Sequence, residues 1–303
     1  MKQLIEARIN RLIEVCPTSH LGGFHYPTKG GDGGDDCLWL GLLSTVGIDV
    51  ASKTIPMCQS SRQHDKGMFY RNPKRQASAN VEGKPFFSRD MALGVLCWLI
   101  GNKGSEGQLI AKEWLEWIEG NRKCVLKKPA MFGGGCLIRH PMFRYAPDDD
   151  GRSDITPTMW ALMGRVWRNM GLCTSPTMDT FQFADGDIPV FESEQCGIGY
   201  QLHLKAVQAY IKYRLNQSSE YRRKVANICH RRVPGNLFYK VLSQEYATKE
   251  DMEYFLGILP DPMTFIPKDY WIWEKGDYES AIKKKQMCGW DMVFMGRLLL
   301  EFG

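Results

Sequence analysis

No stretch of this 303-residue chain is apolar for long enough to cross a bilayer: the longest strongly apolar run, Met91 to Ile100, is about half of the ~20 residues a spanning helix needs. Membrane insertion is therefore not expected. The first residues mix Lys2, Glu6 and Arg8 with apolar side chains, unlike the basic start and unbroken apolar core of a secretory signal. Synthesis in a cytoplasm, without a signal peptide, is the expectation. Ten cysteines are scattered along the chain with no CxxC pair, so a zinc ribbon or a disulfide framework is not indicated, and buried free thiols are. A net charge of +5, from 39 basic and 34 acidic residues, is too small to announce nucleic acid. The basic runs Arg71 to Arg75, Arg222 to Lys224, Arg231–Arg232 and Lys283 to Lys285 read as solvated faces. No Pro/Ser linker or composition shift divides the sequence, so one domain over residues 1–303 is expected. No segment alternates with period two at strand spacing, which disfavours a large sheet.

What is present is a chain of ordinary globular composition, 44% hydrophobic and 24% charged, long enough to bury a core without external staples. Leu4, Ile5, Ile9, Leu12 and Ile13 recur at helical spacing among Glu6, Arg8 and Arg11, the pattern of an amphipathic helix. Cys37 to Leu43 and Met91 to Ile100 are apolar all round and predict buried helices. The small residues Ala92, Gly94 and Cys97 in the second of these allow a neighbour to approach closely. Such buried segments recur six times, each preceded by a polar joint that ends in or carries an acid or amide: Asp35–Asp36, Arg89–Asp90, Ser153–Asp154, Glu192 to Glu194, Gly235–Asn236 and Trp290–Asp291. The intervening loops at 16–36, 63–88, 121–156 and 174–198 are long, and such loops carry function or small hairpins.

Apolar helices near residues 37, 90, 158, 200, 237 and 291 alternate with amphipathic ones near 2, 51, 106, 220 and 249, and the outer partner of the third is missing or irregular near 174–184. This all-α pattern resembles the (α/α)6 toroid, in which an outer ring of helices wraps an inner one. The resemblance implies parallel inner helices whose starts share one mouth. Glycoside hydrolases, polysaccharide lyases and cyclases use this architecture, so it does not by itself choose a function. The phrases Phe87-Ser88-Arg89-Asp90-Met91 and Gly199-Tyr200-Gln201-Leu202-His203-Leu204 are also similar to uncharacterised proteins of phage and bacterial genomes.

Glycoside hydrolysis needs two carboxyl groups, about 5 Å apart for a covalent intermediate or further apart for an attacking water. By position Asp36, Asp90, Asp154, Glu194 and Asp291 qualify. An acid in the first turn of a helix also caps orphan N–H groups and complements the dipole. Asp90 is the strongest candidate, because Ser88 offers a cap in its place and Arg89 stands beside it. The expected pair is Asp90 with Asp291 or Asp36, and Arg89 and His203 position the substrate. Tyr200, Trp39 and Trp290, with Asp154 and Glu194, are expected to line the mouth, because flat sugar faces stack on aromatic rings. His203 otherwise reads as a core histidine. Asp32, Asp35 and Asp36 in a glycine-rich loop could hold calcium, although their spacing is not that of an EF-hand and a metal-free acidic loop is the expectation. A Cys37 nucleophile is opposed by the adjacent acids Asp35 and Asp36. The expected function is therefore a glycan-cleaving enzyme, a hydrolase before a lyase. The alternative is a non-catalytic toroid, phage-associated, that grips a glycan or a protein.

Overall fold

The computed structural model describes residues 1–29, 36–74, 87–127, 136–142, 155–216 and 220–303. Among these the chain is mostly helical. Helix α1 (Lys2–Ile13) leads to a hairpin of β1 (Thr18–Leu21) and β2 (Phe24–Pro27), followed by α2 (Asp36–Thr45), α3 (Asp49–Thr54), α4 (Arg89–Gly101) and α5 (Ser105–Gly120). A second hairpin, β3 (Lys123–Lys127) and β4 (Cys136–His140), precedes α6 (Pro157–Asn169), the short α7 (Pro176–Thr180) and α8 (Asp187–Gln195). The chain continues through α9 (Tyr200–Arg214), α10 (Glu220–Arg232), α11 (Leu237–Gln244), α12 (Lys249–Ile258), α13 (Tyr278–Lys283) and α14 (Trp290–Phe302). Both hairpins are antiparallel pairs. The first turns at Gly22 and Gly23 with φ of 55° and 83°, a left-handed pair that glycine adopts without steric cost. No described helix is long and apolar enough to cross a membrane.

Local sequence accounts for several helix starts. Thr156 caps α6 through Met159 N–H with Pro157 in its first turn, Asn236 caps α11 through Tyr239 N–H, and Thr248 with Asp251 forms a capping box on α12. The apolar helices α2 and α4 are buried on nearly every side. They also approach each other closely: a Cβ on Gly94 would lie 1.9 Å from the Cys37 carbonyl oxygen, and one on Gly41 would lie 2.0 Å from the Gly94 carbonyl oxygen. Only glycine permits that approach. The buried apolar residues, from Ile5 in α1 to Leu299 in α14, form one cluster.

Helix α2 packs against α4 and α14, α4 against α9, α9 against α11, and α11 against α14. Their starts meet. The Tyr200 hydroxyl at the head of α9 donates to Asp90 at the head of α4, and Trp39 of α2 stacks on Trp271 with ring centroids 4.5 Å apart. The cap of α11 and the first turn of α14 hold the same segment, through Asn236 Nδ2 to the Trp273 carbonyl at 2.9 Å and Ile272 N–H to Asp291 Oδ2 at 3.1 Å. Their far ends meet too: Thr45, Gly101, Arg214, Glu245 and Glu301 line one cavity of about 490 Å³. These five helices therefore run in the same sense. Helix α6, expected beside α9 as well as α4, instead packs chiefly on α4 and on the 176–185 segment, where a short helix and a 3-10 turn stand. On the outside lie α1 against α14 and α12, α3 against α2, and α10 against α8, α9 and α11.

Candidate functional site

The common start of the parallel helices is filled rather than hollow. Trp39, Trp271, Trp273 and Trp290 are buried, as is His203. The His203 ring lies between Trp39 and Phe238, with centroids 6.0 and 5.7 Å away. Neither of its ring nitrogens has a partner within hydrogen-bonding geometry. The Trp273 backbone pulls its pKa upward. Burial outweighs that pull and, with Lys275 and Lys29 adding to it, lowers the His203 pKa from 6.5 to about 3. His203, 0% exposed and held neutral in this way, stands in the core, where no ligand meets its ring.

Asp291 is fully buried and accepts Ile272, Gly289 and Met292 N–H at 2.9 to 3.1 Å. Burial raises its pKa from 3.8 to about 6 against the pull of these donors. It lies in the first turn of α14, where it accepts the Met292 N–H, it ties down the 271–274 segment, and it is fully buried. Asp36 is 1% exposed and accepts the Thr28 hydroxyl at 3.4 Å. The expected pairing of Asp90 with Asp291 or Asp36 across an open mouth is therefore not what the structure displays. The first turn of a helix places an acid where orphan N–H groups need it, and here the 271–274 segment closes over Asp291.

Asp90 differs. It is only half-buried, and its carboxylate receives the hydroxyls of both Ser88 and Tyr200, the latter 36% exposed. Ser88 holds the N-cap position but makes no cap bond, so its hydroxyl serves the carboxylate instead. Arg89, exposed, opens on a groove of about 410 Å³ between α4, α6, α8 and α9. One wall carries Phe191, 66% exposed, and the amides of Gln195, Gln201 and Gln208 line the groove with it. Its acid, Glu192, is held by Lys205 at 2.5 Å. Nothing in the sequence singled out Phe191 or these glutamines, since their grouping depends on how α8 lies across α9 and α10. The spacing of Gln201 and Gln208, seven residues apart on one helix face, is the one signal that was available.

The remaining residues expected at the mouth are engaged with other protein groups or lie outside the described residues. Trp290 donates Nε1–H to the Pro17 carbonyl at 2.7 Å, and Glu194 pairs with Arg231 at 2.5 Å. Trp39 carries Lys29 over its ring at 4.9 Å. Asp154, Asp32 and Asp35 lie outside the described residues. Among the described residues no group of three or more His, Cys, Asp or Glu side chains could hold a metal ion. No family model, curated protein or solved structure matches this chain.

Proposed function

We propose that the chain is a glycan-binding α/α toroid, with α2, α4, α9, α11 and α14 as its inner ring, and that it takes its ligand without a resident cofactor in the groove beside Arg89. The single observation that carries this is the groove's lining: an exposed aromatic face at Phe191, three side-chain amides and the Arg89 guanidinium around about 410 Å³. Sugars present apolar faces and hydroxyl edges, which such a surface matches by stacking and by hydrogen bonding. Binding is favoured over cleavage because the acids at hand are engaged. Glu192 is neutralised by Lys205, while Asp36 and Asp291 are buried. The two phrases similar to phage and bacterial proteins supply the residues that join the heads of α4 and α9. Bacterial cell-wall and capsule glycans are therefore the first ligands to test, and a phage-associated role accords with them.

Cleavage has one observation in its favour: Asp90 is reachable from solvent and is held by two hydroxyls at the same helix starts. Calorimetric titration with these glycans, run beside an assay for released reducing ends, separates the two. Saturable binding without release, weakened at least tenfold by Phe191→Ala, is the expected result. Release by wild type that Asp90→Asn abolishes would establish the hydrolase instead. Binding that Phe191→Ala leaves unchanged would remove the groove from the ligand site.

A further inference from the structure

Away from that groove, the end of α12, the loop that follows it and the residues after α13 enclose a cavity of about 560 Å³, within the range of small-molecule sites. Its apolar walls come from Ile258, Phe265, Ile266, Ile282 and Met287. Its charged lining is Lys268, Lys284 and Lys285 against the single acid Asp261. Asp261 Oδ1 accepts the Met263 N–H at 3.1 Å, so one acid stands against three lysines in this lining. None of the three lysines forms an ion pair with another described residue. Three lysines that form no ion pair with a described residue therefore line an apolar hollow, and the lining carries a net positive charge.

The backbone at this lining is also unusual. Lys285 has φ of +50°, where its N–H bonds the Ile282 carbonyl and the Gln286 N–H reaches the Ala281 carbonyl, both at 2.9 Å. That is the left-handed exit of α13, a position glycine ordinarily fills. Lys285 at this exit is one of the residues that line the cavity. A merely solvated lysine run does not explain the apolar residues grouped beside it, among them Met287, 2% exposed.

We propose that this cavity binds a free medium-chain aliphatic carboxylate, with its chain against Ile258, Phe265, Ile282 and Met287 and its carboxylate among Lys268, Lys284 and Lys285. Apolar burial supplies affinity, and the ammonium cluster selects the sign of the head group. Calorimetry of the full chain with decanoate, kept below its micelle range, tests this, with decanol and decyltrimethylammonium as head-group comparators. One saturable decanoate site is expected. Affinity should fall at least tenfold for decanol, for decyltrimethylammonium and for the Lys268→Glu, Lys284→Glu, Lys285→Glu variant, whose altered residues are all exposed and whose helicity should be unchanged. Ile282→Trp, which fills the hollow, should abolish binding. Should that variant fail to fold, the charge-reversed protein still decides the matter. Absence of saturable decanoate binding, or equal affinity for decanol or for the charge-reversed protein, overturns the proposal.

Discussion

The two ends of the parallel helices are built from opposite chemistry. At the starts, N–H groups without intrahelical partners are met by Asp291 and Asn236, and the space between is packed with Trp39, Trp271, Trp273 and His203. At the finishes, arginines meet the carbonyl ends: Arg214 donates to the Thr45 carbonyl and pairs with Glu301, while Arg222 pairs with Glu245 and lies over the Tyr213 ring. Acids at helix starts and cations at helix ends are what the macrodipole favours. The lesson is that an acid at such a joint is first a structural group, and that solvent contact, as at Asp90, is what distinguishes one with chemistry left to do.

The largest effect should come from the packed end. Asp291→Ala would leave the Ile272, Gly289 and Met292 N–H groups buried without their acceptor, at about 1–3 kcal/mol for each unsatisfied group. Denaturant unfolding should therefore show a loss on the order of 4 kcal/mol. A loss below about 1 kcal/mol would show that water reaches this end after all.

Acid titration sharpens the same end, because its two buried groups act with opposite sign. His203 stays neutral in the folded chain down to about pH 3 but takes a proton near 6.5 when unfolded. Its stabilising contribution is complete above pH 6.5 and is lost as pH falls, by about 2 kcal/mol at pH 5. Asp291, with a folded pKa of about 6 against 3.8, penalises the folded state above pH 6 and returns about 1 kcal/mol of that by pH 5. The two partly cancel. Replacing His203 by Leu should therefore remove the acid-induced loss, leaving stability flat or slightly rising from pH 7 to 5 in denaturant titrations. An unchanged pH profile would show that His203 is not held neutral.

The arginine end should be more tolerant. Arg214→Ala removes a partly exposed ion pair, a bond to one carbonyl and the guanidinium stacked 5.5 Å from the Tyr210 ring, a loss of about 1–2 kcal/mol. High salt should shrink the difference from wild type. A loss equal to that of Asp291→Ala would erase the contrast between the ends.

Some of this was legible in the chain. The all-round apolar character of Cys37 to Leu43 and Met91 to Ile100 marked two buried helices, and Gly94 marked their close approach, because burial and steric room are written in side-chain size. The long loop at 16–36 concealed a hairpin, as its length suggested. The roles of the acids were not legible, since capping and catalysis ask for the same residue at the same joint. Nor was the node in which Asp65, 2% exposed, accepts the hydroxyls of Ser60 and Tyr70, because three polar residues in a polar loop give no sign that they turn inward.

The sequence by itself determined that the chain is mostly helical, that Cys37 to Leu43 and Met91 to Ile100 are buried on nearly every side, and where several helices begin. Those properties follow from local periodicity and capping chemistry, which act over a few residues. Only the tertiary structure decided that five helices point the same way, that Trp271 to Glu274 fills their common start, and that Arg89 and Phe191, 102 positions apart, share a groove. Contacts between distant segments depend on how whole helices pack, and no short stretch of residues encodes that.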